Sequence, residues 1–140
     1  MDQNLKNAIF SAVEKEPFAK LMHMNLVELK PGYSVVEMNY DPSKMNNLFA
    51  RAHGGALFAL IDEAFETACQ TEGAVVLALN VNVAYVSSPQ AGAKLRAEAK
   101  MLSQTKKTAY YDIKVTEENG NLIATCSALA YRSGKPLPFL

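Results

Sequence analysis

Two cysteines and two histidines leave this chain few residues for metal or redox chemistry. Cys69 and Cys126 lie far apart, each among apolar neighbours, which reads as two buried thiols rather than a metal cluster. His23 and His53 cannot form a three-histidine metal site, and the carboxylates show no ligand spacing. There is no glycine-rich phosphate loop with its lysine, and no serine elbow of the G-x-S-x-G type. Neither sign of charge is in excess, with fourteen Lys and Arg against fourteen Asp and Glu, so a basic face for nucleic acid is not expected. Met1-Asp2-Gln3-Asn4 is not a basic region followed by an apolar run, and no window of about 18 uncharged apolar residues suggests a membrane span. The expectation is a cytoplasmic protein with no metal, nucleic-acid or membrane partner. Any catalysis must rest on carboxylates, amides and backbone groups.

What is present suits one folded unit. A chain of 140 residues with 49% hydrophobic and 20% charged residues can bury a core unaided. Residues 1–19 hold Leu5, Ala8, Ile9, Val13 and Phe18 at three- and four-residue spacing, an amphipathic helix interrupted near Pro17. Leu26–Leu29 and Gly32–Tyr40 read as two extended pieces around Lys30-Pro31-Gly32. Residues 41–52 form the least regular stretch. A helix follows from Gly54 to Gln70, apolar around most of its first two turns. Four strands come next. Ala74–Ser87 sets Leu79, Val81, Val83 and Tyr85 on one face and Asn80, Asn82 and Ala84 on the other. Lys94–Gln104, Ala109–Thr116 and Leu122–Arg132 complete an expected antiparallel meander, with a hairpin at Asn119-Gly120. Residues 133–140, with Pro136-Leu137-Pro138, read as a frayed tail. The fold class is α+β: a curved antiparallel sheet wrapped around one long helix, plus the N-terminal helix.

Asp62 is the most informative residue. It interrupts the apolar run Gly54–Ile61, and an unpaired buried carboxylate costs several kcal/mol or takes up a proton. Either it has a structural partner or the helix holds it against a substrate. Asn47 and His53-Gly54-Gly55, just upstream, favour the second reading. A helix N-terminus exposes unpaired N–H groups with partial positive charge, and glycines let another group approach them, which offers an oxyanion site. Asp62 lies about 10 Å along the axis from Gly55, too far for one carbonyl to touch both. Two subunits side by side resolve this, so a homodimer with shared sites is expected. Glu63 and Glu66 read as solvated helix residues. Asn80 and Asn82 suit a polar cleft or an interface. Lys106, Lys107, Arg132 and Lys135 read as surface charges that could meet an anionic tail.

The segment from Asn47 through His53-Gly54-Gly55 to Asp62, with Tyr85-Val86-Ser87-Ser88-Pro89 and Gly92 later, resembles the signature of hotdog-fold thioesterases of the phenylacetate-degradation (PaaI-like) type. The resemblance spans about residues 20–132. It implies hydrolysis of acyl-coenzyme A thioesters without metal or cofactor. It also implies the oxyanion glycine at Gly54 with Gly55 beside it, supporting roles for Asn47 and His53, and a carboxylate at Asp62 supplied by the partner subunit. Another hotdog subgroup keeps a glutamate nearby, which retains Glu63 as an alternative. Some relatives carry a serine or threonine where this chain has Ala78, which leaves Asn80 or Asn82 to serve the attacking water. A noncatalytic protein that binds acyl thioesters is the alternative function. The remaining expectations are a homodimer or a tetramer of two dimers, and a modest apolar acyl channel shaped by Met45, Phe49, Phe58 and Phe65.

Overall fold

The structure is a computed structural model and describes residues 1–140. The N-terminal periodicity gives α1 (Gln3–Lys15), which buries Leu5, Ile9 and Val13, and a short α2 (Pro17–Leu21). Glu16 separates them in an extended conformation, and Pro17 is pre-set for the first position of a new helix. Strands β1 (Met24–Lys30) and β2 (Tyr33–Asn39) form a hairpin whose turn places Gly32 at φ 64°. A four-residue helix, α3 (Pro42–Met45), stands inside the stretch expected to be irregular. The long helix α4 runs Gly54–Gln70, as its apolar pattern predicted.

Four long strands follow: β3 (Ala74–Tyr85), β4 (Lys94–Gln104), β5 (Thr108–Glu117) and β6 (Leu122–Pro136). All pairings are antiparallel in one six-stranded sheet of order β1-β2-β4-β5-β6-β3. This is the hotdog arrangement of a sheet around a central helix. The expected four-strand meander needs correction. β4, β5 and β6 are consecutive neighbours, but β3 crosses over to pair with β6 and so becomes a sheet edge. Local alternation sets which face a residue occupies but not which strand lies beside it.

Alternation along β4 and β5 buries Leu95, Ala97, Ala99, Tyr111, Ile113 and Val115 against one core that also takes Leu60, Ile61, Ala64 and Phe65 of α4. Polar groups then fix the helix to the sheet. Ser34 Oγ donates to the Ala64 carbonyl at 2.6 Å, the Gly32 amide donates to Thr71 Oγ1 at 2.8 Å, and the Gln70 side-chain amide pairs with both backbone groups of Val76. Each bond joins α4 to a strand or turn, so the helix cannot slide without leaving buried polar atoms unpaired.

The tail also differs from expectation. β6 continues to Pro136, and Leu137 is buried in the core. Gly134 and Pro136 looked like terminators, yet Gly134 at φ 72° is accommodated within the strand. At the β5–β6 hairpin only Gly120 takes a positive φ, 84°, while Asn119 accepts a bond from the Asn121 amide at 2.8 Å.

Candidate active site

Helix α4 is buried on almost every side. Its solvent-facing positions are Gly55, Phe58, Asp62 and Glu66, one stripe at three- and four-residue spacing. Asp62 is therefore not buried among apolar side chains in the single chain, as its sequence context suggested. It faces outward into a cleft of about 330 Å³ between α4, the first half of β3 and the C-terminal residues. The rest of the lining is mostly apolar and includes Phe65, Val76, Leu77, Ala78 and Phe139. Asp62 forms no hydrogen bond or ion pair, and partial burial by these neighbours raises its pKa. A carboxylate with free lone pairs and raised basicity is suited to taking a proton or attacking an electrophile.

At the other end of the stripe, His53 caps α4, and its Nδ1 accepts the Gly55 amide at 2.9 Å. That bond places the ring proton of the neutral imidazole on Nε2. It also consumes the Gly55 N–H. The amides of Ala56 and Leu57 bond to the His53 carbonyl, which leaves the Gly54 N–H without a partner at the helix start. Of the two glycine amides expected to serve as donors, Gly54 is the one available.

Asn47 shapes the preceding loop. Its Oδ1 accepts the amides of Phe49 and Arg51 at 2.9 and 3.1 Å, and its own backbone amide donates to the Arg51 carbonyl at 2.7 Å. Those two donors fix the orientation of the side-chain amide, so its NH₂ group is the part left to meet a ligand. Ala50 completes the tight turn at φ 55°, and the His53 amide donates to the Met45 carbonyl at 2.7 Å.

A profile of the thioesterase superfamily matches residues 49–124. The chain belongs to the thioesterase superfamily. Among its relatives, a putative esterase of Archaeoglobus fulgidus is 34% identical over 119 residues, covering 85% of this chain and 77% of the relative. Acyl-coenzyme A thioesterase PaaI of Escherichia coli is 29% identical over 121 residues, 86% of each chain. The solved structure of the E. coli PaaI protein superposes with a TM-score of 0.89 at 27% identity, covering 94% of this chain and 95% of that one. A PaaI variant from Thermus thermophilus gives 0.79 at 32% identity, covering 84% and 99%. These likenesses set the chain in the PaaI-like group.

Within this family member the other candidate residues separate. Phe58 lies on the exposed stripe one turn before Asp62, and Phe49 is 80% exposed beside Leu48 at the tip of the 46–52 loop. Met45 is buried in the core, against the expectation that it shapes an acyl channel, whereas Phe65, buried with its ring edge-on to Tyr111 at 5.3 Å, still forms part of the wall of the Asp62 cleft. Asn80 and Asn82 are exposed on β3, beyond a bulge between Ala78 and Asn80. Arg132 is committed to Glu72 at 2.8 Å and to the Thr105 carbonyl, and Lys107 sits 5.8 Å over the Tyr131 ring.

Glu63 is a further correction. It is 3% exposed rather than solvated, and burial, with neighbouring carboxylates, pushes it up to about 8. From the sequence, Tyr85 belongs to one face of β3 and to the Tyr85–Pro89 motif, with no role of its own. Its hydroxyl donates to the Gly54 carbonyl at 3.1 Å, and its ring stands 3.1 Å from where a Cβ on Gly54 would be. The last residue of β3 therefore holds the first residue of α4. The apolar-polar alternation of β3 had no means of indicating that contact.

Proposed function

We propose that this chain is an acyl-coenzyme A thioesterase acting as a homodimer, with each site shared between two subunits. One observation carries the reading. Free Asp62 and the uncapped Gly54 amide stand beside opposite ends of an unpaired sheet edge. Asp62 shares its cleft with Leu77 and Ala78 near the start of β3, and Gly54 touches Tyr85 at its end. The outer edge of β3 has no strand beside it, and Leu77, Leu79, Tyr85 and Val86 are exposed there. A second β3 added antiparallel about a two-fold axis near Val81–Asn82 puts the start of one strand against the end of the other. Asp62 of one protomer then approaches Gly54 of its partner. The same pairing removes the exposed edge, which an unprotected strand of this length otherwise leaves open to aggregation.

In that site the thioester carbonyl oxygen lies at the Gly54 amide, where the helix terminus stabilises the developing negative charge. Asp62 either removes a proton from the attacking water or attacks the carbonyl carbon to form an anhydride that water then opens. The carbon–sulfur bond breaks and the thiolate of coenzyme A leaves. The Asn47 NH₂ orients the thioester, and His53 Nε2–H faces the open side of the helix start. Phe58 beside Asp62 narrows the acyl side, which favours aromatic and short-to-medium acyl groups. The names of the PaaI relatives, tied to phenylacetic acid degradation, support the same choice.

Ala78, in the Asp62 cleft, supplies no hydroxyl to an attacking water, and this favours a second reading as a binder of acyl thioesters. A panel of short, medium, long and aromatic acyl-coenzyme A esters, with thiol release as readout, decides between them. Turnover supports the enzyme, and tight binding without thiol release supports the binder. Light scattering that finds a monomer of 15.3 kDa removes the shared-site reading.

A further inference from the structure

The cleft that holds Asp62 ends against a second cavity. The first, of about 330 Å³, follows α4 from Asp62 past Glu66 to Gln70. The second, of about 300 Å³, lies between α1 and α4, where Ile9, Ala12 and Val13 line it. Only Glu66, Gln70 and Phe139 line both. These three differ in freedom. The Gln70 side-chain amide is tied to both backbone groups of Val76, and Glu66 belongs to the exposed stripe of α4. Phe139 is the one large apolar side chain at the boundary, and its flanks hold it there. Pro136 pairs with Ala74 at the end of β6, Leu137 is buried in the core, and the Leu140 amide donates to the Leu137 carbonyl at 3.3 Å, which closes a turn around it. The ring itself is 42% exposed, so it bars the boundary without supporting the core.

We propose that Phe139 sets the length of the acyl group: its ring closes the far end of the Asp62 cleft and keeps an acyl chain out of the cavity beside α1. This rests on the thioesterase reading and adds to it a specificity-determining residue remote from the reacting atoms. An acyl group whose carbonyl lies beside Asp62 has its tail along α4. Glu66 lies about 6 Å and Gln70 about 12 Å further along the helix axis. That span takes an aromatic ring or a short-to-medium alkyl chain, laid on Phe65, Val76 and Leu77. A longer chain meets the Phe139 ring. Beyond the ring, Lys15, Glu16 and Glu63 share the wall with the apolar residues of α1, so a chain tip there leaves a mostly apolar lining for a mixed one. Phe58 stands one turn before Asp62, in the opposite direction along α4, so the two phenylalanines bound the acyl group from either side.

The test is a series of straight-chain acyl-coenzyme A esters, from butanoyl to hexadecanoyl, given to the native chain, Phe139→Ala and Phe139→Trp. Thiol release gives kcat/KM, and calorimetry gives binding of the same esters. In the native chain kcat/KM should rise by about fourfold per methylene until the tail reaches the ring, and then stop rising. Phe139→Ala should move that break about two carbons longer and raise kcat/KM for esters just past the native break by about tenfold. Phe139→Trp should move it shorter, with a loss of about tenfold for the ester at the native break. Opposite shifts from one position are outside what a folding defect produces. A length profile identical in all three proteins overturns the proposal and leaves the thioesterase reading standing. If none of the proteins releases thiol, that reading fails, and the binding series decides on Phe139 alone. A break in affinity that moves with residue 139 upholds the wall, and a fixed break or no binding overturns it.

Discussion

Asp62 and Glu63 are chemically similar neighbours on one helix, yet their surroundings set them to different work. A rotation of about 100° separates them. Asp62 faces a cleft at a bare sheet edge, free of partners, with its pKa raised by burial alone. Glu63 faces the N-terminal corner, nearly inaccessible, with Glu16 and Glu66 adding to the burial that holds its proton to about 8. The lesson is that a carboxylate's use follows from which neighbours it meets. Asp62 has space for a substrate, while Glu63 is buried against other carboxylates.

The most severe way to break this comparison is Asp62→Asn. It keeps the volume and removes the base, so kcat should fall by about 10²–10⁴-fold while the protein remains folded and dimeric. Near-full activity in that variant would mean that the outward-facing carboxylate is not the working one. Gly54→Ala comes next. Its Cβ would stand 3.1 Å from Cζ and 3.2 Å from the hydroxyl oxygen of Tyr85, so the ring or the helix start must shift. A loss of about 10–100-fold in kcat, with unchanged circular dichroism, is expected from misplacing the oxyanion donor.

Tyr85→Phe sharpens the same point more gently. It deletes one hydrogen bond to the Gly54 carbonyl, and kcat should drop by about 2–10-fold with little change in KM. Glu63→Gln should have the smallest effect on rate, within about threefold, and should act on stability instead. The native chain keeps the Glu63 proton up to about 8, whereas the unfolded chain releases it near the ordinary value of 4.5. The unfolded state thus binds fewer protons between those values, so this group's contribution is whole below the lower one and is lost as pH rises. Tm of the native chain should fall from pH 5 to 8 relative to the glutamine variant. Parallel Tm curves would show that Glu63 is not held protonated.

Much of this was legible from residues alone. The Gly54–Gln70 helix followed from an apolar run bounded by glycines, and the faces of β4 and β5 followed from alternation. Asp62 stood out because a charge broke that apolar run, but its direction did not follow. A helix buried on nearly every side can still carry one open stripe, and only the sheet's curvature decides where it opens. Glu63 was misjudged because a lone helix carboxylate is usually solvated, and the residue that covers it comes from the distant α1–α2 corner. The place of β3 at the far edge was illegible for a related reason: strand order depends on long-range pairing. The full length of β6 was hidden by Gly134 and Pro136, whose usual role as breakers is overridden at the end of a strand anchored by Leu137.

The crossover that sends β3 to pair with β6 also bears on how the chain is made. Residues 74–85 leave the ribosome well before residues 122–136, the only strand of the same chain that pairs with them. At about 5–20 residues per second, the wait lasts about 2–10 s. Throughout it, Leu77, Leu79, Val81 and Val83 belong to a strand with neither edge satisfied. A translational pause between codons 86 and 121 would lengthen that exposure, and a nascent chain arrested there would present two bare edges rather than one. Solubility of the newly made protein is therefore tied to the speed at which its last third is synthesised, independently of how stable the finished fold is.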